Sequence, residues 1–154
     1  MRNGVLWNDA RCTSIADEWI ANGRMAQVFG VTSNWLMTGD VGLVVGWMKE
    51  HEPEVLAKTK YFCVNTNWMS YHLTGEFNAN ATDMYSQVDE SRQYSDKVME
   101  IEGILEFKDK FLPLHNPSEV AGHVTPRAAQ ETCPSAGPPT ATNGVVVGSC
   151  GPRG

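Results

Sequence analysis

The chain has 154 residues, of which 42% are apolar, 9% aromatic and 19% charged, enough apolar side chains for the core of one domain and too many for a disordered segment. Its formal net charge is -6 with no Lys/Arg cluster, and because a phosphate-backbone binder needs a basic stripe, no nucleic-acid partner is expected. The longest apolar stretches, such as residues 41–48, fall short of the ~20 residues of a bilayer span, so no membrane partner is expected; Met1 to Asn8 lack the apolar run of a secretory signal, which makes the cytoplasm the expected location.

In chain order, Ser14 with Asp17 has the form of a capping box, followed by Ile15, Ala16, Trp19 and Ile20 at helical spacing and a stop at Asn22-Gly23. A second helix is predicted from Val41, where Val44, Val45 and Met48 make an apolar stripe that ends among Lys49, Glu50 and Glu52. Pro53 suits the first turn of a short helix through Lys58, and Tyr61 to Val64 is a β-rich run. Asn65 or Thr66 can cap a helix carrying Trp68, Met69 and Leu73 that stops at Gly75. Ala121 to Thr125 reads as a short strand, and Pro126 opens a helix through Glu131. Composition then breaks near Thr132, because residues 133–154 carry Arg153 as their one charged side chain and are rich in Gly and Pro, which predicts an irregular tail. The pattern is helix-rich α/β without an internal repeat, ordered over residues 1–132 and irregular over 133–154.

Few residue groups carry chemistry by themselves. The four cysteines, Cys12, Cys63, Cys133 and Cys150, are widely spaced and read as reduced thiols, and the four histidines lack ligand spacing, so no metal site is expected. Gly144 to Gly148 with Ser149 lacks the Gly-Lys-Ser/Thr of a phosphate loop, and Asn80-Ala81-Thr82 is a glycosylation acceptor in form only. Leu6-Trp7-Asn8-Asp9-Ala10-Arg11 is different. As an extended strand it would put Trp7, Asp9 and Arg11 on one side, an indole wall beside a carboxylate and a guanidinium, which suits a polyhydroxylated ligand. The same residues also suit a buried tryptophan beside a surface ion pair. Trp35, Trp47 and Trp68 lie within apolar or helical patterns and are expected in the core.

Five ordered blocks carry a resemblance: Leu6 to Cys12; Trp47-Met48-Lys49-Glu50-His51-Glu52-Pro53-Glu54; Trp68 to Leu73 with Thr74-Gly75-Glu76-Phe77; Asn80 with Thr82-Asp83; and Phe111-Leu112-Pro113 through Ser118 to Gly122, Val124-Thr125 and Ala128-Ala129. Together they resemble the N-terminal domain of the FGGY carbohydrate kinases, the group that includes xylulose, glycerol and related sugar kinases. The resemblance implies the helix-rich part of a ribonuclease-H/actin-like kinase domain, incomplete in this chain, since the family pairs two such domains across a cleft in chains several times longer. It implies transfer of the ATP γ-phosphate, with Mg2+, to a hydroxyl of a pentulose or polyol such as xylulose. A non-catalytic sugar-binding or regulatory remnant of such a kinase is the alternative.

The family's Asp-x-Gly-Thr phosphate hairpin would precede Met1, and its Gly-x-x-Asp has no counterpart after Thr132, where the last aspartate is already behind at Asp109. No catalytic or cofactor-binding residue is therefore expected here, and the chain alone is expected to be inactive. Trp7 falls at the family's substrate-facing tryptophan, with Asn8, Asp9 and Arg11 following as candidate substrate contacts. The Gly39-Asp40 loop lies near another substrate contact of some members. Val44 replaces the lysine usually found three residues before the helix tryptophan, which leaves relatives acting on L-xylulose or a tetritol open.

Overall fold

The computed structural model describes residues 4–132, 140–142 and 145–147. The elements are α1 (Thr13–Ala21), α2 (Arg24–Thr32), α3 (Val41–His51), α4 (Pro53–Lys58), α5 (Asn65–Thr74), β1 (Ala79–Asn80), α6 (Asp96–Glu102), a 3-10 turn (Leu105–Lys110), β2 (Leu114–His115), β3 (Val120–His123), α7 (Pro126–Thr132), β4 (Thr140–Thr142) and β5 (Val145–Val147). Among the described residues no helix is long and apolar enough to cross a membrane. The chain divides into two compact units, Met1–Phe62 with Met84–Phe111, and Cys63–Asp83 with Leu112–Gly154.

The first unit is helical. α1 begins at Thr13, one residue before the predicted cap, and Ser14 and Asp17 form no capping box; the Thr13 hydroxyl donates instead to the Ala10 carbonyl at 2.7 Å. Gly23, at φ +77°, ends the α1 turn and is at once the residue before α2, a helix absent from the predicted set. One buried cluster joins Cys12, Ala16, Trp19, Met25, Val28, Leu36, Leu43 and Val98; a second joins Val45, Met48, Leu56, Phe62, Met99, Ile104 and Phe111. α3 and α6 feed both clusters because each has apolar side chains on two sides, Leu43 and Val98 toward one and Val45, Met48 and Met99 toward the other. The β-rich run at 61–64 contributes one parallel bridge, Phe62 to Phe111, where the two rings meet edge to face at 5.2 Å.

In the second unit β1 and β2 are parallel, with Ala79 opposite Leu114, while β3, β4 and β5 form an antiparallel sheet. α5 inverts the usual pattern: Asn67 and Thr74 are buried, whereas Trp68 and Met69 are about half exposed. The cap of α5 also differs from expectation, since the Asn67 side-chain oxygen accepts the Val64 N–H at 3.0 Å and Asn65 already lies inside the helix. Val124, Ala128 and Ala129 pack with Leu73, and the Thr125 N–H donates to the Leu73 carbonyl at 2.9 Å, which ties α7 to α5.

Two expectations are corrected. Of the tryptophans assigned to the core, Trp35 is 53% exposed and lies tilted against Phe29, Trp68 is 51% exposed against His72, and Trp47 is half-buried between the two clusters of its unit. Where an irregular tail is expected, 140–142 and 145–147 are strands. Cys133, the segment 134–139, Gly144, and Gly148 to Gly154 lie outside the described residues. Cys12 and Cys63 are free thiols, and burial pushes the Cys12 thiol up to about 11, which makes it unreactive at neutral pH.

Candidate functional site

Residues 6–9 form a tight turn, not an extended strand: the Asp9 N–H donates to the Leu6 carbonyl at 3.0 Å, which leaves Trp7 and Asn8 at the tip. Trp7 is 73% exposed, so the buried-tryptophan reading is excluded and the indole is presented to solvent. Asp9 and Arg11 do not line up beside it as strand alternation predicts. Arg11 Nε donates to Asp9 Oδ1 at 2.8 Å and Nη2 to Oδ2 at 2.9 Å, and the Arg11 backbone N–H donates to the same Oδ1 at 3.0 Å. This fork is the geometry in which a guanidinium and a carboxylate match best. The Arg11 guanidinium also lies over the Trp47 ring, 4.8 Å from its centroid, with the Glu52 carboxylate 4.0 Å away, and Trp47 in turn stacks on His51 at 4.6 Å. Asp9 and Arg11 thus brace the turn, while Trp7 and Asn8 face outward.

What fixes the other side of the turn is a backbone contact. A Cβ on Gly39 would lie 2.6 Å from the Trp7 Cα and carbonyl carbon, so only glycine lets the two backbones touch. Next in sequence, Asp40 stands at the start of α3, where its Oδ2 accepts the Met37 N–H at 2.6 Å and its Oδ1 accepts the Tyr85 hydroxyl. Burial pushes the Asp40 carboxyl up, although the bonds from Tyr85 and Met37 pull the other way. Two residues on, a Cβ on Gly42 would lie 2.7 Å from Glu102 Oε2.

Glu102, the last residue of α6, is 3% exposed; Gln87 Nε2 donates to both its oxygens at 3.3 and 3.4 Å, and the Ser86 hydroxyl donates to Gln87 Oε1 at 3.0 Å. Burial pushes the Glu102 carboxyl up to about 8, the Asp40 charge adds to this, and the Gln87 bonds oppose it, so Glu102 holds its proton at neutral pH. Sequence reasoning singled out the Gly39-Asp40 loop, through the resemblance, as lying near a substrate contact of some family members, and missed Tyr85, Gln87 and Glu102. One signal was present: an acid as the last residue of a helix opposes the macrodipole, which points to a neutral or specially held carboxyl.

The second unit holds a small polar cleft lined by Thr66, Asn67, Ser70, Asn78, Asn80, Asp83, His115 and Ala121. Its polar atoms are turned on each other, since Asp83 Oδ2 accepts from the Thr66 hydroxyl at 2.8 Å, Asn80 Nδ2 at 2.8 Å and Asn67 Nδ2 at 3.4 Å. Asn80 is 7% exposed, so the glycosylation form at 80–82 is buried. Asp83→Ala would leave the Asn67 and Asn80 amides without their shared acceptor, and unfolding by urea is expected to show a loss of about 1–3 kcal/mol; Asp83→Asn, which keeps an acceptor oxygen, should lose less. Equal stability of the alanine variant and the parent would refute this account.

Residues 1–145 match the family model of the FGGY carbohydrate kinases, N-terminal domain. The chain belongs to this family. It is 30% identical over 134 residues to a probable L-xylulose kinase of Pasteurella multocida, covering 84% of this chain and 27% of that protein. It is 27% identical over 142 residues to the L-xylulose/3-keto-L-gulonate kinase of Escherichia coli, covering 89% of this chain and 28% of that protein. The crystal structure of xylulose kinase from Rhodospirillum rubrum superimposes with a TM-score of 0.72 at 23% identity, covering 86% of this chain and 27% of that one. The last likeness bears out the expected helix-rich, actin-like kinase-domain fold. This FGGY chain spans about a quarter of the length of the curated relatives it matches.

Proposed function

We propose that this chain is the sugar-facing portion of a kinase that transfers the ATP γ-phosphate to a hydroxyl of a pentulose or polyol such as xylulose, acting in the cytoplasm. The observation that carries the reading is Trp7, which is 73% exposed at the tip of a turn that Gly39 and the Asp9–Arg11 fork hold in place. A large indole kept in water by a rigid support gains by stacking on the C–H face of a sugar ring or polyol chain, and the adjacent Asn8 amide can donate to and accept from hydroxyls. Asp9 and Arg11 are assigned to the same site as supports of that surface. L-Xylulose and D-xylulose are the first substrates to test, since a probable L-xylulose kinase and a protein named xylulose kinase both match the chain.

ATP and Mg2+ supply the phosphoryl group and its charge neutralisation when bound. Among the described residues no group of three or more His, Cys, Asp or Glu side chains could hold a metal ion. None of the described residues is assigned to the metal or the phosphates.

Trp7→Ala is expected to weaken L-xylulose or D-xylulose binding about ten- to a hundredfold by calorimetric titration, the loss of about 1 to 3 kcal/mol of stacking, with the fold intact. Unchanged affinity of a folded Trp7→Ala protein would remove the turn from the substrate site.

A further inference from the structure

α3 starts between two close approaches. On one side Gly39 touches the Trp7 backbone, and on the other Gly42 touches the Glu102 carboxyl, with Asp40 between them bonded to Tyr85. The two glycines leave no side chain to absorb a displacement, so a movement of the buried carboxyl is passed through the first turn of α3 to the Trp7 turn as backbone contact. We propose that Asp40, Tyr85 and Glu102 are positioning residues that set where the Trp7 indole stands, by holding residues 39–42 between the Glu102 carboxyl and the Trp7 turn. This rests on the reading that the Trp7 turn contacts the sugar, and it adds which buried groups control that contact.

The direction of control follows from charge. A proton leaving the buried Glu102 puts a second negative charge near the partly buried Asp40, where like charges repel and are screened less than in open water. The groups facing Glu102 are Gln87 with Ser86 behind it, from residues 84–88, and Asp40 at the start of α3. The cations of the neighbouring elements are engaged elsewhere: Lys49 of α3 with Glu106 and the Gly103 carbonyl, Lys108 of the 3-10 turn with Asp96, Lys110 of the same turn with the Thr59 carbonyl, and Arg24 of α2 over the Trp19 ring. Ionised Glu102 therefore gains its relief by pushing the Asp40 end of α3 away, and Gly39 carries the Trp7 turn with it.

The test uses the 154-residue chain made with 5-fluorotryptophan, whose five tryptophan resonances are assigned for Trp7 by Trp7→Phe. In the parent, the Trp7 resonance is expected to move with a midpoint near pH 8, and in Glu102→Gln, which keeps the shape without the titration, to stay at its low-pH position. Tyr85→Phe is expected to shift it at neutral pH, because Asp40 loses the bond that holds it. L-Xylulose binding should weaken about tenfold between pH 7 and 9.5 in the parent and stay level in Glu102→Gln, as displacement of a binding group by a fraction of an ångström does. A Trp7 resonance that stays fixed over this range in the folded parent, or that titrates equally in Glu102→Gln, overturns the proposal. A resonance that follows Glu102 while L-xylulose affinity does not change supports the positioning and overturns the sugar contact, so the two readings fail separately.

Discussion

From about pH 5 to 8 the protein is expected to lose folding stability as pH rises, and Glu102→Gln to remove most of that loss. The folded state keeps a proton on Glu102 up to about pH 8, whereas the unfolded chain gives it up near the ordinary value of 4.5. Between these values the unfolded state binds fewer protons, so the contribution is complete below 4.5 and gone once pH passes the folded value. The slope approaches about 1.4 kcal/mol per pH unit, and over the 4.5 to 8 span the whole effect is on the order of 5 kcal/mol. Asp89 and Glu106, which hydrogen bonds from Ser91 and Lys49 hold below the usual carboxylate range, act with the opposite sign, but theirs is lost only in acid and does not enter this window. Urea unfolding at pH 5, 6, 7 and 8 should show a steeply falling line for the parent and a much shallower one for the variant, in which Asp40, also raised by burial, keeps its own contribution of the same sign. Parallel lines would mean that Glu102 is ionised in the folded state.

Trp19→Ala is expected to cost about 3–5 kcal/mol, because it empties the centre of the α1–α2 cluster where the ring is 3% exposed. Arg24, whose guanidinium lies 5.2 Å from the ring centroid, loses its platform as well. Trp7→Ala should change stability by no more than about 0.5 kcal/mol, as removal of an exposed side chain does. The two tryptophans thus separate along different axes, Trp19 in unfolding and Trp7 in ligand affinity. A Trp19→Ala protein as stable as the parent would show that the first cluster does not carry the unit.

The contrast between these tryptophans marks where sequence reading stops. Periodicity and caps identify α1, α3, α4, α5 and α7 to within a few residues, because each is bounded by Pro, Gly or a polar cap that acts locally. α2 escapes because Gly23 reads as a stop, and nothing local says that a second helix starts directly after it. α6 had its signals in Ser95, which accepts the Val98 N–H, and in Gly103 at φ +72°, but its seven residues are too short for a periodicity to register. Burial is a property of the partners and not of the residue. Trp7 and Trp19 are alike in local composition, and α5 carries Trp68 outward and Asn67 inward against every hydropathy rule. The Trp7 segment was legible as a candidate site, yet its shape depends on Gly39, some thirty residues on, and on a fork between Asp9 and Arg11 that strand alternation does not allow. The neutral state of Glu102 was not legible, because it is made by burial and by the nearby Asp40 charge, both of which are tertiary.

The bridge from Phe62 to Phe111 has a consequence for synthesis. At about 5–20 residues per second, the roughly fifty residues that separate the two rings take several seconds to emerge, and until then the apolar faces of α3 and α4 have no Met99, Ile104 or Phe111 to meet. The first unit is a discontinuous one, closed by a segment that follows the 63–83 excursion, and its second cluster cannot form in order of translation. A nascent chain paused before residue 99 should therefore expose Val45, Met48 and Leu56 to the holding chaperones of the cell, and release should coincide with the arrival of α6 and the 3-10 turn.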